Sequence, residues 1–160
     1  MTRRSAALVA LAALPLLAAE GRGCAADREV PVAVVRGGAA CGGDAPAVRR
    51  LSSPEALAAA FPAGPGGAAP AADFEGGAVL LVAAGQRPTA GFELTLASPR
   101  APVKDGVALV RVAVREPPPG AVVAQVVTSP CLVVALPRAG LAEVKVADGA
   151  GALLGSVALR

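Results

Sequence analysis

The most continuous apolar run after the first residues is Ala78 to Ala83, which reads AVLLVA without a polar break. A run of that length fits a central strand buried on both faces. Downstream the pattern changes to period two. Phe92, Leu94 and Leu96 alternate with Glu93 and Thr95, and Val110, Val112 and Val114 alternate with Leu109, Arg111, Ala113 and Arg115. Alternation of this kind predicts strands with one core face. Asp105-Gly106 between them reads as a tight turn. Further strands are expected at Val30–Val35, Ala47–Leu51, Val122–Val127, Cys131–Leu136 and Ala152–Leu159, and where Val144 and Val146 alternate with Glu143 and Lys145. Asp148-Gly149 is a hairpin signal before the last of these.

One helix interrupts the strands. Ser52-Ser53-Pro54-Glu55 offers a Ser cap, a first-turn Pro and the Ser-x-x-Glu spacing of a capping box. The helix carries Leu57 and Phe61, four apart and able to share a face, and stops at Pro62. Residues 62–72, PAGPGGAAPAA, have no periodicity and read as a flexible loop within the domain. One short helix with about eight strands predicts an α+β fold with a mainly antiparallel sheet, because the connections after residue 77 are too short for crossovers.

The chain start modifies this picture. MTRR precedes an apolar stretch from Ser5 to Ala19 and a polar exit at Glu20-Gly21-Arg22. Basic start, short apolar run and small-residue exit are the parts of a secretory signal peptide over residues 1–26. The run contains Pro15 and is short for a span of roughly 20 residues. That leaves residues 27–160 as a single exported domain, periplasmic, at the cell surface or secreted, with no integral membrane span. Cys24 supports lipidation poorly, because Gly21-Arg22-Gly23 is not the usual approach to a lipidated Cys. Loss of Arg3, Arg4, Arg22 and Glu20 lowers the net charge from +3 to +1. No basic cluster remains to neutralise phosphates, which argues against a nucleic-acid partner. Cys41 and Cys131 are then the two mature thiols in an oxidising compartment. They are candidates for a disulfide, the alternative being two unpaired residues.

Composition excludes much chemistry. There is no His, Trp or Tyr, and Phe occurs three times. Without His there is no Ser-His or Cys-His nucleophile and no His metal ligand. Ser129 has no such base, and neither Lys104 nor Lys145 has a suitable context. Asp73, Glu75, Glu93, Glu116 and Glu143 do not cluster in sequence. No catalytic residue, metal or cofactor is expected, and the chain is not read as an enzyme.

Three motifs remain. Gly85 to Phe92, GQRPTAGF, lies between two strands. Pro88 fixes φ and Gly91 permits positive φ, so the loop should be pre-shaped, with Arg87 and Thr89 held outward at a sheet end. A recognition loop in which Arg87 meets a carboxylate or carbonyl competes with a structural loop tied down by local bonds. Arg115 to Gly120, REPPPG, favours polyproline II, either as a ligand centred on Pro118 or as a stiff connector. Gln125 to Cys131, QVVTSPC, holds Thr128 and Ser129 in a turn or bulge capped by local hydroxyl bonds.

In this order, G-x-R-P-T-x-G-aromatic, P-P-P-G, Q-x-x-T-S-P and a strand ending in Leu136-Pro137, the motifs resemble the PrcB C-terminal domain family, also called protease complex subunit PrcB family proteins. The match covers residues 77–138. The resemblance implies an exported, non-catalytic interaction domain, an accessory or stabilising subunit of a protease or envelope complex. Its partner would be a protein, with an exported protease the leading candidate. It puts binding on Arg87, Pro88, Thr89, Gly91, Phe92, Pro118, Gln125, Thr128 and Ser129. Ala90 departs from the family's usual Gly, Phe92 and Cys131 stand where Tyr is common, and Leu57 and Phe61 replace a helical Trp pair. The loop Arg87 to Phe92 alone is also similar to the N-P-T-T-G-Y loop of chagasin-type cysteine protease inhibitors, with Arg for Asn. That likeness implies direct inhibition as the alternative.

Overall fold

The computed structural model describes residues 28–41, 43–61 and 71–159. Residues 1–26, whose sequence reads as a signal peptide, with Cys24 among them, and most of the 62–72 loop lie outside the described residues. The strands are β1 Arg28–Pro31, β2 Ala33–Gly38, β3 Pro46–Leu51, β4 Gly77–Ala84, β5 Glu93–Leu96, β6 Arg100–Lys104, β7 Val107–Arg115, β8 Cys131–Pro137, β9 Glu143–Ala147 and β10 Leu153–Ala158, with the helix α1 at Pro54–Ala60. The fold is the expected α+β type, mainly antiparallel with a single short helix among the described residues.

Two sheets face each other. One has the order β1-β6-β7-β9-β10, with β5 also paired to β7, and the other is β2-β8-β4-β3. Val30, Leu80, Val82, Leu94, Val110 and Val134 lie in the core between them. The pleat sends alternate β4 residues the other way. Val79 and Leu81 join Leu51, Leu57, Cys131 and Val133 in a second core under α1. Every residue of β4 is buried, as its unbroken apolar run implies.

Four expectations need correction. Val30–Val35 is not one strand. The chain leaves one sheet at Pro31 and enters the other at Ala33, with the Val32 N–H bonded to the Pro99 carbonyl at 2.8 Å. β6 was not anticipated, because Pro102 within RAPVK argues against a strand; the segment is paired through β1 and the β7 hairpin. β7 and β9 pair in parallel, Val107 with Glu143 to Arg111 with Ala147. The antiparallel rule fails there because β8, in the other sheet, carries the chain across between them. Val122–Val127 forms no ladder at all.

The helix cap is Ser53 rather than Ser52. Its hydroxyl oxygen accepts from the Ala56 N–H at 3.2 Å, so the Ser52–Glu55 box spacing is not the one used. A hydrogen bond with Ser53 first, and then the backbone, holds the exposed Glu55 carboxyl below its ordinary value. A lowered carboxylate stabilises above its ordinary titration range, and the contribution is lost as pH falls through the lowered value. Ser53→Ala is expected to cost about 1 kcal/mol. Thermal unfolding checks that, and a carboxylate titration by NMR should show Glu55 moving back up.

Candidate functional site

The 85–92 loop and the two motifs within residues 115–131, far from it in sequence, meet at one end of the sheets. The Arg87 N–H donates to the Thr128 carbonyl at 2.8 Å and the Thr128 N–H donates back at 3.0 Å. The Thr128 hydroxyl donates to the Thr89 carbonyl at 2.9 Å, across 39 residues. The Ala90 N–H donates to the Ala124 carbonyl at 3.0 Å. Gly91 sits at φ +91°, and a Cβ there would come within 3.0 Å of Pro117 and 3.2 Å of Val123. A side chain at 91 would be strained twice, by φ and by contact. The loop 85–92 and the segment 117–128 therefore form one unit.

This unit differs from the expected outward loop. Arg87 is half-buried, with one guanidinium nitrogen donating to the Ala84 carbonyl at 3.3 Å. Its guanidinium carbon lies 5.9 Å from the Phe92 ring centre, and its Nε is enclosed without an acceptor among the described residues. Thr89 is half-buried too. Pro88 and Gly91 are exposed.

The Thr128 and Ser129 bonds are long-range rather than local. Ser129 donates its N–H to Ala39 at 2.8 Å, and its carbonyl accepts from the Cys41 N–H at 3.4 Å. Ser129 thus holds the Cys41 turn against β8. Cys41 and Cys131 are disulfide-bonded, with Cα atoms 5.8 Å apart, inside the usual range. Pro118 opens a turn: the Ala121 N–H donates to its carbonyl at 3.0 Å and Gly120 has φ +79°, the pattern of a type II turn. Gln125 is exposed, its amide donating to the Val123 carbonyl at 3.3 Å.

The most exposed large apolar side chains include Val122 at 103%, Val127 at 65% and Val126 at 53%. Sequence reasoning took them for strand residues. The only signal of their exposure was isolation, with Pro-Pro-Pro-Gly before and Thr-Ser-Pro after. A groove of about 450 Å³ runs between β2 and β5, lined in part by Val34, Gly37, Phe92 and Thr95. Among the described residues no three His, Cys, Asp or Glu side chains cluster for a metal, and no helix is long and apolar enough to cross a membrane.

These features define a disulfide-bridged, two-sheet β domain with an apolar face at one end. Residues 78–137 match the model of the PrcB C-terminal family, as the ordered motifs implied, and that family is associated with a protease complex. No curated protein matches the chain, and no solved structure does.

Proposed function

We propose that this is an exported, non-catalytic interaction domain that docks on a protease or envelope complex through the 85–92 and 117–128 unit. The observation that carries the reading is the exposure of Val122, Val126 and Val127 on a segment fixed to the 85–92 loop by long-range bonds, with Pro88, Gly91 and Pro118 exposed in the same unit. A singly exposed apolar side chain needs no explanation, whereas three exposed valines within six residues of a backbone held by long-range bonds favour a contact surface. Arg87, Thr89, Thr128 and Ser129 hold that surface in place, and Phe92 bounds it toward the groove. The disulfide supports export, since such bonds persist in oxidising compartments. The family association supports a protease complex as the setting. No observation favours direct inhibition: Thr89 is half-buried with its carbonyl bonded, so the loop is no free finger.

The test is co-purification of a protease or its pro-form with the mature chain from the exported fraction of the producing cells. Changing Val122, Val126 and Val127 together to Lys should cut recovery at least ten-fold and leave the melting temperature within a few degrees. Equal recovery would remove this face from the contact.

A further inference from the structure

Resting on that interaction reading, we propose that Ala121–Val127 receives an uncharged, extended segment of the partner as an added β-strand along its open edge. The sequence AVVAQVV has strand composition, yet it pairs with no strand in the fold. The N–H groups of Val122 through Val127 meet no acceptor among the described residues. Ala124 and Thr128 bond toward the loop at Ala90 and Arg87. Successive residues of an extended chain point their backbone groups to opposite sides. In an extended segment whose Ala124 and Thr128 face the loop, the N–H and C=O of Val123, Gln125 and Val127 face the other side, where among the described residues the Gln125 amide bonds the Val123 carbonyl. One side of the segment is fixed and the other is open, which lowers the ordering cost of adding a strand.

Charge selects the occupant. From Pro117 to Pro137 the chain has no Lys, Arg, Asp or Glu. Edge strands are ordinarily guarded by such charges, by Pro or by bulges, and Ala121–Val127 has no charge and no Pro. A charged strand laid here would bury its charges against valines with no counter-charge, whereas an uncharged one has its backbone paired and its alternate side chains set on Val122 and Val126. A second copy of this chain could pair in the same way. Such a pair would contribute seven residues per side through this segment, against about 20–30 in a stable interface. A larger partner that also covers Pro88, Gly91 and Pro118 is the better occupant.

The probe is an end-capped octapeptide of alternating Thr and Val, titrated into the mature chain by fluorescence anisotropy, with amide hydrogen exchange read in parallel. Binding should slow exchange at Val123, Gln125 and Val127 at least ten-fold. Gln125→Pro removes one outward N–H from an exposed residue and should weaken binding at least ten-fold at an unchanged melting temperature. Gln125→Ala keeps that N–H and should bind within two-fold of wild type. No binding at millimolar peptide, equal binding by Gln125→Pro, or protection confined to the β2–β5 groove would overturn the proposal. Protection that appears without peptide and grows with protein concentration would assign the edge to a second copy, and overturns it equally. If Gln125→Pro still recovers the protease complex as wild type does, strand addition fails while the interaction face stands.

Discussion

Replacing both Cys41 and Cys131 with Ala is expected to lower the unfolding free energy by about 4 kcal/mol. The bridge joins residues 90 apart, and cross-linking a loop of that size removes about this much chain entropy from the unfolded state. The spanned residues include α1, β4 and the whole β5–β7 unit, so without the bridge a long loop must close before β8 pairs with β2 beside the Cys41 turn. The Cys41 to Ser129 and Ser129 to Ala39 bonds, with the β2–β8 ladder that ends at Gly38 and Cys131, hold the same place in the folded state but do not tether the unfolded chain. Cys131 is also 1% exposed, packed among Leu57, Leu81 and Val133, so truncation leaves a small void as well. Against a typical total of about 5–15 kcal/mol, the loss is a large share. Urea unfolding with and without reductant measures it. Oxidised wild type should lose midpoint on reduction, and the double variant should be insensitive to reductant. A double variant with the midpoint of the oxidised protein would mean that the bridge adds nothing.

What could be read in the sequence was what burial writes locally. β4 was legible because both its faces are covered, so AVLLVA carries no polar break. β7 was legible because one face meets the core, and Val110 and Val112 are buried while Arg111 is exposed. Pairing partners were not legible. Val122–Val127 has the composition of a strand, but composition encodes a preference for extended backbone and not the presence of a neighbour. The split at Val32 was hidden because Val30 and Val32 are both buried while the chain changes sheets between them. The parallel β7–β9 pair depends on where β8 lies, which no local pattern states. The candidate site divides in the same way. Its residues were named from the motifs, whereas the turning inward of Arg87 required knowing that Thr128 lies opposite it. The Ser129 backbone contacts to Ala39 and Cys41 are long-range for the same reason.

The second large effect is expected at Leu80. It is fully buried at the middle of β4, paired with Val134 on β8 and Arg50 on β3, and its side chain belongs to the core shared with Val110 and Val144 on the opposite sheet. Leu80→Ala should cost about 2–5 kcal/mol, from the lost transfer energy plus the cavity left behind. The upper half of that range is favoured by the surroundings. β4 is covered by α1 on one face and by the other sheet on the other, and it is laddered on both edges, so the backbone can move into the void only by disturbing three elements. Leu153 on β10 is the contrast, 59% exposed, and Leu153→Ala should stay within about 0.5 kcal/mol of wild type. Urea titration at unchanged m-value compares the two. If the proposed docking through the 117–128 unit holds, recovery of its partner by the folded Leu80→Ala protein should match wild type, because Leu80 is not part of that surface. A cost below 1 kcal/mol would mean that the sheets close over the cavity, and the two-sided burial of β4 would then not be the constraint that sets the spacing of the fold.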